Sequence, residues 1–307
     1  MSLETDLLLD RRRLKRRLVL WRSFAVLAAL VALLVALRGE NPPFGRSRLA
    51  RLTVSGLISD DRKLNEAVTR LADNDSVKAL IVAINSPGGS VAGGEALHDA
   101  IARVAGKKPV VAVMGGLAAS AGYMIAVPAA RIFAREATLT GSIGVLLETG
   151  EVSGLLKLLG VNAEAITSGA LKDQPSFTRP LSQQGRDVLQ GLVMDMYEQF
   201  VGMVASGRHM DAARVRELAD GRAYTGRQAL KLGLVDAIGG ERDARLWLAQ
   251  TKGVSADLPV EDISTTGFTS RALSGSLGWV FDELWKSLFS QGVILDGTRL
   301  VWQRFGS

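Results

Sequence analysis

The sequence predicts an α/β fold with a mostly parallel sheet, preceded by one membrane-crossing helix. Short continuous apolar runs, VKALIVAIN (77–85) and PVVAVMG (109–115), alternate with stretches of helical period, the pattern of buried strands joined by helices. Glycine-rich segments follow such runs at NSPGGSVAGG (85–94), MGGLAASAGY (114–123) and LTGSIGV (139–145). The stretch 18–37 is 20 residues long and apolar except for Arg22 and Ser23, and about 20 such residues span a bilayer as a helix.

The elements follow in chain order. Residues 1–17 are a basic tail, in which RRRLKRR precedes the apolar stretch. That flank places the amino terminus in the cytoplasm and everything after residue 38 across the membrane. A cleavable signal peptide is the rival reading, but VALRGENPPF offers no good small-x-small cleavage pair. Arg22, one turn inside the apolar stretch, can reach the headgroups. Asn41, Pro42 and Pro43 stiffen a linker over 38–48. A folded domain is then expected over 49–255. Its strands lie at 49–56, 77–85, 109–115, 131–134, 139–145 and 161–167, and its helices at 63–72, 90–104, 117–127, 153–159 and 181–206. Residues 256–307 read as a flexible Ser/Thr/Gly-rich segment followed by an amphipathic helix at LGWVFDELWKSLF, suited to packing on its own domain or on another copy.

Composition removes several classes of function. With 47% hydrophobic residues among 307, the chain has ample material for a core. It contains no cysteine, which excludes thiol nucleophiles, thiolate metal sites and disulfides. The net charge of +6 belongs to the amino-terminal arm, because residues 49–307 hold 27 basic and 27 acidic side chains. A nucleic-acid partner is therefore not expected. The glycine-rich turns match neither GxxxxGK[ST] nor GxGxxG, so they are not phosphate loops. At the carboxyl ends of strands they are instead suited to aiming backbone N–H groups into a cleft.

Ser120 lies among small residues in Ala118-Ala119-Ser120-Ala121-Gly122, at the start of the expected 117–127 helix. A serine there can cap, pack or attack, and attack needs a base. The two histidines, His98 within a helix and His209 in SGRHMDAA, lack the setting of a catalytic histidine. A lysine serves as base only when neutral, and lowering its ordinary value of about 10.4 by roughly three units costs about 4 kcal/mol. Lys172, in ITSGALKDQPSFTRP, is the candidate, and Ser142, in Gly-Ser-Ile-Gly, could orient its amine. By sequence position alone, a solvent-exposed lysine is the plainer reading.

MGGLAASAGYMIA, TLTGSIGV, SGALKDQPSFTRPLS and GRAYTGRQALKLGLVDAIGG occur in this order, and together they resemble the signal peptide peptidase A family. That family comprises membrane-bound Ser/Lys peptidases of the Clp/crotonase-like superfamily, and the likeness runs from about residue 49 to 250. The resemblance implies stacked ββα units, with Ser120 as nucleophile, Lys172 as general base and Ser142 orienting the lysine. It also implies an oxyanion-hole N–H at Gly88 or Gly89. The family serine is often followed by Gly-Gly, whereas Ala121-Gly122 follows here. A short single-copy chain of this kind implies a ring-like homo-oligomer.

The function expected is a serine endopeptidase without metal or cofactor, held in the bacterial inner membrane by 18–37. Its catalytic domain lies outside the cytoplasm and takes hydrophobic peptides, such as signal peptide remnants, and the resemblance implies pockets that prefer small or aliphatic side chains. The alternatives are a crotonase-type acyl-CoA enzyme, a non-catalytic oligomeric scaffold, and a Ser/Lys membrane protease acting on stomatin-like partners. The last usually carries further membrane spans, and the tail after residue 250 contains no second apolar run of about 18 residues.

Overall fold

Strands β1 (Arg48–Ile58), β2 (Val77–Gly89) and β3 (Val110–Ala119) lie side by side in parallel in the computed structural model of the chain, which describes residues 21–24, 26–28 and 47–263. Helix α1 (Arg62–Arg70) joins the first pair of strands, and α2 (Val91–Ala105) joins the second. After β3 come α3 (Ala121–Met124), β4 (Arg131–Ala134), β5 (Leu139–Gly141), α4 (Ser153–Leu158) and α5 (Gln183–Arg208). Helix α6 (Ala212–Leu218), β6 (Ala223–Thr225), α7 (Gly226–Lys231), β7 (Ala237–Ile238), α8 (Glu241–Lys252) and β8 (Val260–Asp262) complete the described chain. The result is one eight-stranded mixed α/β sheet in the order β6-β5-β3-β2-β1-β8, with β4 joined to β3 and β7. Among the described strands only the β5–β6 pair is antiparallel.

The central strands are apolar on both faces because both faces are covered. On β2, Leu80, Val82 and Ile84 belong to the larger core, with Leu97, Ile101, Tyr123 and Phe200. Ala79 and Ile81 point the other way, into a smaller core with Leu49, Val111, Phe133 and Leu248 of α8. Such a strand reads as an unbroken run rather than an alternating one, which is why 77–85 was legible.

Strand β3 extends beyond the expected 109–115. Its first part pairs with β4 at 111–113, and its last part pairs with β5 at 117–119. Against β2 the register slips between these parts, so that Asn85 alone faces residues 115–117. The Asn85 Oδ1 fills the gap by accepting the Leu117 N–H at 3.2 Å. The helix expected over 117–127 is therefore corrected. Residues 117–119 are strand because β5 supplies them with an edge, and the helix proper is the four-residue α3.

Two further corrections follow. The strand expected at 161–167 does not form, since no neighbouring strand pairs with it and its residues are exposed. The sheet also continues past residue 255, where β8 pairs with β1. Arg51 reinforces that edge, donating to Asp262 at 2.7 and 2.9 Å and to Glu241 at 3.3 Å. The rest of the expected tail, 264–307, lies outside the described residues. So does most of the membrane span expected at 18–37, of which 21–24 and 26–28 are described and helical. Among the described residues no helix is long and apolar enough to cross a membrane.

Replacing Ile81, fully buried between β1 and β3, with Ala is expected to cost about 2–5 kcal/mol, read as a lower denaturation midpoint at unchanged m. The β8 edge is expected to loosen in acid. The Arg51 guanidinium holds the Asp262 carboxyl below its ordinary value, so its contribution is complete above the unfolded value of about 3.9 and lost as pH falls through the lower, folded value. Amide exchange at 260–262 that accelerates over that interval, ahead of β2, would show it.

Candidate active site

Ser120 stands at the junction of β3 and α3 with φ 53° and ψ −123°. A non-glycine residue there is strained by about 1–3 kcal/mol, and such strain persists only where surrounding bonds fix it. Here the Ser120 N–H donates to Gly141 O at 2.9 Å, prolonging the β3–β5 ladder. The Ser120 carbonyl accepts the N–H groups of Tyr123 at 2.8 Å and Met124 at 2.9 Å. A serine raised on a sharp strand-to-helix turn is also how α/β hydrolases expose a nucleophile. Ser120 is half-buried, and its hydroxyl has no hydrogen-bond partner among the described residues.

The end of β2 closes over this turn. Gly88 has φ 115°, and a Cβ there would lie 2.8 Å from the Ser120 Cβ, so only glycine fits. The same point lies 3.2 Å from the Ala121 backbone nitrogen. As the first residue of a helix, Ala121 has no intrahelical acceptor for its N–H, and none is supplied by the described chain. The Gly88 N–H, by contrast, donates to Ser86 Oγ at 3.1 Å, and Ser86 in turn donates to Gly56 O at 2.6 Å. Gly89 is pressed against β1, where a Cβ would come 1.9 Å from Ile58 O. The free donor beside Ser120 is thus that of Ala121, which the sequence reading did not single out. The rule that the first helical N–H groups are unpaired, applied one residue past Ser120, could have found it.

Ser142 follows Gly141, so the β3–β5 ladder sets it beside Ser120. It too has positive φ (49°), and its N–H donates to Arg222 O at 2.9 Å. Lys172 is placed differently. It sits in an exposed turn between α4 and α5, its own N–H donating to Gly169 O at 3.1 Å. No hydrogen bond or ion pair among the described residues joins its amine to Ser120 or Ser142. The turn is braced by Asp173, which pairs with Arg179 and accepts from Ser176, and these contacts hold its carboxyl below the ordinary value. From 146 to 180 only Ser176 is buried. Leu146, Leu158, Ile166 and Phe177 are 70 to 98% exposed. An open groove of about 1030 Å³ runs through this segment, lined by Leu147, Glu151, Phe177 and Arg186 among others, and neither Ser120 nor Lys172 lines it.

Among the described residues neither histidine is hydrogen-bonded to Ser120. His98 contacts Asp99 at 3.0 Å, and His209 caps α5 in the left-handed conformation. Among the described residues no cluster of His, Asp and Glu could hold a metal ion.

The family described as Peptidase family S49 matches residues 102–255, and that described as Clp protease matches residues 53–142. A Synechocystis sp. protein named as a protease is 41% identical over 213 residues, 69% of this chain and 77% of its own. An Enterococcus faecium protein named as signal peptide peptidase SppA is 36% identical over 247 residues, 75% of this chain and 71% of its own. Among solved structures, a membrane-bound stomatin-specific protease superposes with a TM-score of 0.48 at 15% identity, over 72% of this chain and 99% of its own. The strand–turn–helix that presents Ser120 lies inside the matched region, and the chain belongs to peptidase family S49, the serine-protease family its motifs resemble.

Proposed function

We propose that the chain is a membrane-anchored endopeptidase in which Ser120 attacks the peptide carbonyl and Lys172 is the general base. The observation that carries this is the strained turn at Ser120, with an unpaired Ala121 N–H and a glycine-only approach from Gly88 beside it. Neutral Lys172 takes the proton of the Ser120 hydroxyl as Oγ bonds to the carbonyl carbon. The Ala121 N–H receives the oxyanion, joined by an N–H of Gly88 or Gly89 once the Gly88 N–H exchanges Ser86 Oγ for the substrate. Lys172 then returns the proton to the departing amine, leaving an acyl-enzyme. Water, deprotonated by Lys172, attacks the ester, and the proton passes back to Ser120. Ser142 orients the lysine amine, and the steps need no cofactor.

Lys172 is exposed in the single chain, whereas a neutral lysine needs apolar cover. The uncovered apolar side chains of 146–180 need cover as well. Both needs are met if this segment packs against a second copy in a ring-like homo-oligomer, with Lys172 completing a site in its own or the neighbouring subunit. The stretch 18–37 anchors the chain in the inner membrane with the catalytic domain on the periplasmic side. Held there, the cleft meets hydrophobic peptides leaving the bilayer, signal peptide remnants among them, and the small residues around Ser120 suit small or aliphatic side chains.

Hydrolysis of a fluorogenic hydrophobic peptide by the fragment from residue 46 onward tests the assignment. Ser120→Ala and Lys172→Ala are each expected to lower turnover by on the order of a thousand-fold or more with unchanged circular dichroism. Near-normal turnover in Lys172→Ala sinks the dyad. Reassembling these two inactive variants together is expected to restore part of the activity if Lys172 serves a neighbour, and none if it serves its own subunit.

A further inference from the structure

We infer that Arg208 is a positioning residue for Ser120: with Asp236 it clamps the carboxyl end of α5 to the loop that also holds Tyr123, and so fixes the turn carrying the nucleophile. The inference rests on the assignment of Ser120 above. The Arg208 side chain is 7% exposed. Its guanidinium spans both Asp236 oxygens, at 3.1 Å from Nη1 and 2.5 Å from Nη2, and donates to Gly233 O from Nε and Nη2 at 3.2 and 3.1 Å. Such a planar fork fixes direction as well as distance. Asp236 is held from a third side, since its Oδ2 accepts the Ile132 N–H at 2.7 Å at the head of β4.

The same loop grips the nucleophile helix. Tyr123 is wholly buried, and its hydroxyl donates to Leu234 O at 2.8 Å. Burial pushes the Tyr123 phenol up, keeping it a donor. Three residues earlier, Ser120 O accepts the N–H of Tyr123 itself. A displacement of the 233–236 loop therefore reaches Ser120 through one side-chain bond and one backbone bond. The clamp also sits hard against the chain beyond α3. At Gly207, next to Arg208, a Cβ would fall 2.3 Å from Val127 Cγ1 and 2.6 Å from Val127 O. These contacts join residues 28 and 111 apart in sequence, and none of them touches a reacting atom.

The test uses the full chain in detergent as wild type, Arg208→Met, Arg208→Lys and Tyr123→Phe. Deuterium uptake over 120–127 and over β2 is measured beside the labelling rate of Ser120 by a fluorophosphonate and the KM for a peptide substrate. Arg208→Met keeps the side-chain volume without the fork. It is expected to leave β2 protection intact, speed exchange at 120–127 about ten-fold, slow labelling about ten-fold and leave KM within about two-fold. Tyr123→Phe is expected to move the same readouts by about three-fold, and Arg208→Lys to fall between it and wild type. Unchanged exchange at 120–127 in Arg208→Met overturns the inference. So does a labelling loss that only matches lost β2 protection, which would make Arg208 a support of the fold alone. If Arg208→Met does not fold, Tyr123→Phe and Arg208→Lys decide by the same readouts. Wild-type chain that fails to label at Ser120 overturns the nucleophile assignment, and exchange at 120–127 still decides whether the clamp holds.

Discussion

Strand β3 serves two neighbours along one edge, β4 at 111–113 and β5 at 117–119, and the step between them sets where Ser120 falls. A strand cannot change partners without slack, and the slack is residues 115–117 facing Asn85 alone. The step is held by side chains rather than by ladder bonds. Asn85 accepts from Leu117, and Thr138 donates to Gly115 O at 2.7 Å. Beyond it, Thr140 donates to Ala118 O at 2.8 Å. Because the last rung of this pairing is the Ser120 N–H on Gly141 O, the turn at Ser120 and the segment bearing Ser142 are one structural unit. The positive φ values of both serines are where the chain leaves that shared ladder.

The candidate site residues, in contrast, lie on parts of unequal burial. Ser120, Ala121 and Gly88 gather where the ends of β2 and β3 meet α3, beside the buried Ala118, Ala119 and Tyr123. Lys172 lies on a long excursion between β5 and α5 that buries almost nothing. Leu146, Leu158, Ile166 and Phe177 along it are exposed, more large apolar surface than a chain ordinarily leaves in water. The groove beside Phe177 belongs to the same uncovered face.

What the sequence disclosed and what it hid follow the range of the interactions involved. The β2 run was legible because both of its faces are buried, and Ser120 was legible from its small neighbours together with the family blocks. Residues 117–119 were misjudged because Leu-Ala-Ala favours helix locally, and only the distant β5 edge makes it strand. The stretch 161–167 has the alternation of a strand but no partner, and an unpaired strand has no ladder to stabilise it. Val260–Asp262 was missed because three mostly polar residues carry little pattern, and their pairing with β1 closes over some two hundred residues of chain. The Arg208 clamp and its link to Tyr123 were hidden for a related reason. A hydrogen bond spanning 111 residues leaves no periodic mark.

Helix α5 is 26 residues long and touches the buried core mainly through its carboxyl half, at Phe200, Val201 and Val204. At 1.5 Å per residue it reaches about 39 Å, and at its amino end Gly185 is buried against Gln174 of the loop that carries Lys172. A rigid helix of that length joins its two ends as a lever. A tilt of one degree at the Arg208 end moves the far end by about 0.7 Å, already comparable with the tolerance of a catalytic hydrogen bond. Registration of the Lys172 loop is thus set where Gln174 packs on Gly185, and a shift at either end of the helix is carried along its whole length to the other.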